Sequence, residues 1–157
     1  MARRWHARAW WRQSPNSWLP TAGACCCRRL LVPSIEIIDA RVQNPRKIFD
    51  TVSDNGAAAG IVMGGRPVRP MDVDLRWVGG IMYVNSEIEE TGVAAGVLGH
   101  PAMGVAWLAN KLGSLGTPME PGHVVLAGSF TRVVFPKKGD TLHADFGPLG
   151  AVTVQLV

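Results

Sequence analysis

Pro33-Ser34-Ile35-Glu36-Ile37-Ile38-Asp39-Ala40-Arg41 is the stretch on which the reading of this chain turns. Its β-branched, apolar residues read as a strand with one carboxylate, Glu36, set inside it. An ionised carboxylate among apolar neighbours is costly unless something positive sits beside it, and a divalent metal is one candidate. One glutamate does not make a metal site.

Upstream of this stretch the composition is different. Residues 1–35 hold six arginines and no acid, a local charge of +6, whereas the remainder has 10 basic and 12 acidic residues. The formal charge of +4 is therefore an average over two unlike parts, and the orderly part carries no basic nucleic-acid footprint. All three cysteines (Cys25, Cys26, Cys27) and four of the six tryptophans also precede residue 28. Three consecutive cysteines lack the spacing of a zinc site or a disulfide framework, and an intracellular reducing compartment, the cytoplasm, is the simplest home. Residues 1–33 resist a transit-peptide reading because Trp10-Trp11 and the Cys run spoil an amphipathic, Ser-rich pattern. A secretory signal needs an unbroken apolar region, which Arg12-Gln13-Ser14-Pro15 interrupts. A Trp/Arg/Cys/Pro-rich, acid-free stretch is what out-of-frame translation of GC-rich DNA gives, so residues 1–33 read as a disordered or out-of-frame segment and 34–157 as the folded one.

Downstream the pattern is that of a strand-rich α+β domain. At 157 residues and 47% hydrophobic the chain can bury a sizeable core, and no run approaches the ~20 apolar residues of a membrane span. Apolar runs bounded by Gly and Pro predict strands near Ser34–Asp39, Gly60–Met63, Trp77–Val84, Val124–Ala127, Thr141–Phe146 and Ala151–Val157. One main helix is expected over about 100–113: Pro101 suits its first turn, and Val105, Leu108, Ala109 and Leu112 recur with helical spacing before Gly113. Its apolar face should pack on the sheet. A lone helix among strands excludes the regular βαβ alternation of a nucleotide-binding fold.

Several polar groups invite a chemical reading, and each has a plainer one. Glu87 and Glu89 would share a strand face, but Asn85-Ser86-Glu87 looks like a hairpin tip, so solvated charge is expected. His143 and Asp145 have the same period and read as satisfied strand residues; His100 and His123, beside Pro and Gly, read as helix-start and turn residues. Asp50-Thr51-Val52-Ser53-Asp54-Asn55 is a polar turn between apolar segments. Gly128-Ser129-Phe130-Thr131 follows an expected strand and presents hydroxyls and backbone N–H groups, a weak anion-binding signal. No Ser or Cys nucleophile has a convincing base, and no residue is assigned as catalytic.

Taken in order, the segments 35–41, Pro45-Arg46-Lys47-Ile48-Phe49-Asp50-Thr51-Val52-Ser53-Asp54-Asn55, Gly64-Gly65-Arg66-Pro67, 89–98, 104–112 and Gly128-Ser129-Phe130-Thr131-Arg132 resemble the 2-oxo-hept-3-ene-1,7-dioate hydratases. These group with 2-keto-4-pentenoate hydratases and 4-oxalocrotonate decarboxylases in the fumarylacetoacetate hydrolase superfamily, and the resemblance runs from about Val32 to Val157. It implies part of that superfamily's mixed β-sheet fold, a homo-oligomer in the intact family, and a lyase of aromatic meta-cleavage catabolism acting on a small 2-oxo acid or dioate. It also implies Mg²⁺ or Mn²⁺ as a Lewis acid on the 2-oxo acid, with Glu36 as a metal carboxylate and Ser53, Asn55, Ser129 and Thr131 lining the substrate pocket. Decarboxylase chemistry, or a non-catalytic subunit pairing with an intact paralogue, are the alternatives.

Departures from the resemblance carry equal weight. Family members have an upstream Glu-x-Glu pair supplying two more metal ligands and a lysine-bearing segment, whereas residues 1–33 contain no Glu, Asp or Lys. Val133 stands where proline follows the Thr-Arg pair, and Met103 is unusual in the helix start. The expectation is a C-terminal portion of a hydratase with little or no activity by itself.

Overall fold

The computed structural model describes residues 30–64 and 66–157. Most of the 1–33 segment, with its Cys and Trp clusters, lies outside the described residues. Leu31 makes an antiparallel bridge with Val68, and the Pro33 carbonyl accepts the Gly64 N–H at 2.6 Å.

Two sheets carry the fold. Strand β1 (Ser34–Ile38) pairs antiparallel with β2 (Ala58–Met63), while β3 (Gly79–Val84), β4 (Glu87–Val93), β5 (Thr141–Asp145) and β6 (Ala151–Gln155) form a second sheet in the order β4-β3-β5-β6. Every pairing among the described strands is antiparallel, where a mixed sheet was expected. The architecture is strand-rich α+β, with helices α1 (Ile48–Ser53) and α2 (Ala102–Ser114).

Alternation along the strands builds the core. Ile35 from β1 meets Leu142, Ala144 and Val152 from β5 and β6, with Ile37, Val62, Met82 and Val84 packed around them. A second cluster joins Leu75, Val78, Ala94 and Leu149, and Phe146 touches both. The two sheets are thus held by apolar residues of period two, each worth about 1.5–3 kcal/mol when fully buried.

Five of the six expected strands begin and end within two residues of their predicted bounds; the differences have local causes. Asp74 accepts the Arg76 N–H and opens a 3₁₀ turn over Leu75–Trp77, so the third strand begins at Gly79 rather than Trp77. Val124–Ala127 has the alternating burial of a strand but no ladder; it runs beside α2, where a Cβ on Gly104 would stand 3.3 Å from the Ala127 carbonyl oxygen. Strand β4 is the return strand that the Asn85-Ser86-Glu87 hairpin tip implies, though no strand bounds are predicted for it. Its sequence is acidic and mostly exposed, as suits an edge strand that must not pair further. Asn85 and Ser86, with φ of 50° and 73°, make the tight left-handed turn that lets β4 fold back on β3.

Helix α2 forms as its spacing predicts. His100 Nδ1 accepts the Ala102 N–H at 3.1 Å, so this histidine has its helix-start role. Ala106 is buried and Val105, Leu108, Ala109 and Leu112 are half-buried, while Trp107 is 64% exposed. The expected packing of this face on a sheet is slight, because the 124–128 segment takes that place.

Candidate functional site

Glu36 lies on the outer face of β1. Ile35 and Ile37 point to the core, so the strand's period turns Glu36 and Ile38 to solvent, with Glu36 opposite Ile61 of β2. The desolvation cost that made this carboxylate conspicuous is therefore absent here: its face is open. No hydrogen bond or ion pair joins it to another described residue.

Ser53 and Asn55 sit at the end of α1 and in the turn beyond it. That turn is unusual, because Asn55, Gly56 and Ala57 are all left-handed, with φ of 54°, 68° and 61°. Left-handed backbone costs L-residues roughly 1–2 kcal/mol each, so something must hold it. Arg41 does. Its backbone N–H donates to Asp54 Oδ2 at 2.9 Å, its guanidinium pairs with Asp54 Oδ1 and donates to the Asp54 carbonyl at 2.8 Å and the Ala58 carbonyl at 3.2 Å. The Arg41 hydrogen bonds hold the Asp54 carboxyl below the ordinary carboxylate value of 3.8. On the other flank Asp50 accepts the Lys47 N–H at 2.8 Å and anchors the start of α1. The side chains of Ser53 and Asn55 are exposed.

Ser129 and Thr131 are brought together in a compact loop. Ser129 Oγ donates to the Thr131 carbonyl at 2.8 Å and lies 3.3 Å from Thr131 Oγ1. Phe130, between them, is seated on two glycines that face each other across β3 and β4, Gly80 and Gly92. A Cβ on Gly92 would overlap the Phe130 carbonyl oxygen, and one on Gly80 would stand 2.5 Å from the Phe130 ring. Arg132 closes the seat with an ion pair to Glu90 of β4 at 2.7 Å, and the Glu90 side chain is only 15% exposed. Gly80, Gly92 and Glu90 thus position the loop, and sequence reasoning did not single them out for it. The only trace in sequence was a pair of glycines in strand-like surroundings.

The other polar pairs have structural partners. His143 Nδ1 bonds Thr153 Oγ1 at 2.7 Å beside the Tyr83 ring, and Asp145 accepts the Gly147 N–H at 2.8 Å. Glu87 and Glu89 are exposed on β4, and His123 accepts the Glu120 N–H within a turn. A shallow groove beside the β3–β4 turn is lined by Tyr83, Asn85, Ser86, Thr141 and His143.

No hydrogen bond among the described residues links Glu36, the Ser53–Asn55 turn and the Ser129–Thr131 loop into one constellation. Nor do three His, Cys, Asp or Glu side chains converge there to hold a metal ion. One exposed carboxylate does not fit Mg²⁺, which dehydrates reluctantly and takes one or two carboxylates together with substrate oxygens.

Over 134 residues the chain is 54% identical to the 2-oxo-hept-4-ene-1,7-dioate hydratase of Escherichia coli, covering 81% of this chain and 50% of that one. The chain is similar to one half of the 2-oxo-heptene-dioate and 2-keto-4-pentenoate hydratases. Another member of this hydratase group, 2-keto-4-pentenoate hydratase 1 of Dechloromonas aromatica, is 39% identical over 78% of the chain. The 4-oxalocrotonate decarboxylase of Pseudomonas putida G7, solved with magnesium and adipate, superposes with a TM-score of 0.77 at 34% identity, covering 82% of this chain and 49% of that one. No protein-family model matches. The chain spans about half the length of the curated relatives it matches. No helix among its described residues is long and apolar enough to cross a membrane.

Proposed function

We propose that this chain is one half of a 2-oxo-heptene-1,7-dioate hydratase-type lyase, adding water to a 2-hydroxy-dienoate or 2-oxo-enoate, and that it has little turnover by itself. The observation that carries the substrate class is the 54% identity to a dioate hydratase, against 36% to a decarboxylase and 39% to a pentenoate hydratase. In this reading Glu36 is one carboxylate of a divalent-metal site whose other ligands lie in the half not matched here. Ser129 and Thr131, preset by the glycine seat, and Ser53 and Asn55, held by the Arg41 clasp, face the substrate. Their preset geometry suits recognition of an acid's oxygens without reordering on binding. The substrate is a small 2-oxo dioate, the metal Mg²⁺ or Mn²⁺, the setting the cytoplasm, and the intact enzyme a homo-oligomer with no nucleic-acid or membrane partner. The fold follows the fumarylacetoacetate hydrolase plan.

The test is a chimera joining the upstream half of the E. coli relative to residues 34–157. Hydration of a 2-hydroxy-dienoate in Mg²⁺ is expected from the chimera and not from the native chain, and Glu36→Gln should lower kcat/KM of the chimera at least about 100-fold. Turnover by the native chain comparable to an intact relative would sink the proposal. Decarboxylation is the second reading, favoured by the structural likeness to the decarboxylase; release of CO₂ by the chimera without hydration would select it.

A further inference from the structure

Four asparagines lie among the described residues, and their surroundings differ. Asn44 precedes Pro45, which has no backbone N–H, and its Oδ1 accepts the Arg46 Nε–H at 3.0 Å. Asn85 has both side-chain groups engaged: Nδ2 donates to Asp140 Oδ1 at 2.7 Å, and Oδ1 accepts the Thr141 N–H at 2.9 Å. Asn110 stands inside α2, where the backbone N–H that follows it belongs to the helix. Asn55 has none of these restraints. Its side chain is exposed, makes no hydrogen bond to another described residue, and is followed by Gly56, where an added Cβ would meet no atom within 4 Å.

That pair permits a reaction the other three resist. The Gly56 nitrogen loses its proton and attacks Asn55 Cγ, the side-chain nitrogen leaves with that proton as ammonia, and a cyclic imide, a succinimide, is closed. Water then opens the ring at either carbonyl to leave aspartate or isoaspartate, so the net exchange is water in and ammonia out. Glycine suits the attacking position because no side chain hinders its nitrogen. Ring closure must eclipse Asn55 Cβ with the Gly56 nitrogen, an arrangement outside the left-handed region in which Asn55 and Gly56 are held, at φ of 54° and 68°. Arg41 resists that rotation, because it bonds Asp54 on one side of the pair and the Ala58 carbonyl on the other. We propose that Asn55 is a deamidation site of this chain, closing to a succinimide on Gly56 at a rate set by opening of the Arg41 clasp. The product places a second carboxylate next to Asp54, and isoaspartate also adds a methylene to the main chain inside the turn. Both changes work against the clasp. The site stands whether or not the chain is half of a hydratase.

The experiment holds the full 157-residue chain in warm, mildly alkaline buffer and follows each asparagine by peptide mass spectrometry, with isoaspartate read by enzymatic methylation. Conversion at Asn55 is expected at least about tenfold faster than at Asn44, Asn85 or Asn110. Arg41→Ala should speed Asn55 at least about threefold while Asn85 keeps its rate, because only the local opening has changed. The converted fraction, separated by ion exchange, should melt below the unconverted chain, and Asn55→Gln should remove that fraction. Where Arg41→Ala unfolds the whole chain, Asn85 also accelerates; Arg41→Lys then decides, since lysine keeps the charge but cannot span Asp54 and both carbonyls. Conversion led by another of the four asparagines overturns the site. Equal Asn55 rates with and without the clasp, or equal acceleration of Asn55 and Asn85 in Arg41→Lys, overturn its control by Arg41.

Discussion

Arg41 shows how much one residue can organise. It gathers Asp54 and the carbonyls of Asp54 and Ala58, and so pins three consecutive left-handed residues that would otherwise relax. Because the Asp54 carboxyl is depressed in the folded chain, its contribution is fully present above the ordinary value of 3.8 and is lost as pH falls through the lower folded value. Asp140 behaves alike, held down by the Lys137 N–H and the Asn85 amide. Denaturation of the native chain should therefore ease progressively below about pH 4, and Arg41→Ala should both lower the melting midpoint at neutral pH and flatten that acid dependence. A variant as acid-sensitive as the native chain would show that the clasp is idle. Glu36→Gln, by contrast, should leave the melting midpoint of the isolated chain unchanged, since its face is open; a clear drop would mean that Glu36 has a structural partner here.

At the scale of elements, the glycine seat is the feature with the sharpest consequence. Gly92 lies directly beneath the Phe130 backbone, so Gly92→Ala must lift the Ser129–Thr131 loop, whereas Gly80→Ala meets side-chain ring atoms of Phe130 and Phe146 and no backbone. The expected outcome is loss of the edge-to-face packing of Phe130 on Phe146, read as shifted aromatic resonances in the first variant and smaller shifts in the second. Leu142, 4% exposed at the centre of the larger core cluster, sets the scale for ordinary packing. Leu142→Ala should cost about 2–5 kcal/mol in denaturant unfolding, and a loss well under 1 kcal/mol would show that the two sheets are not packed together. The glycine seat could not be read from the chain, because a glycine in a strand says only that something comes close. Phe130, 38 residues after Gly92, is what comes close.

For the whole molecule, uncovered apolar surface governs behaviour. The exposed faces of β1–β2 and α1 leave apolar area that a finished fold would cover. The chain alone should associate at rising concentration and melt with low cooperativity. A cooperative, concentration-independent melt of a monomer would show that the present contacts suffice.

The sequence by itself determined the strand-rich α+β class, the central helix and most strand positions, because period-two and helical apolar spacing are local properties that do not depend on distant neighbours; the family resemblance came from the residues and order of its motifs. The sequence also showed that residues 1–33 hold no Glu, Asp or Lys. Tertiary structure alone decided that Glu36 faces outward without a partner, that Arg41 holds Asp54, that an acidic segment becomes edge strand β4, and that Val124–Ala127 lies beside a helix rather than in a sheet. Each of those outcomes depends on which distant residues meet, and local spacing carries no record of that.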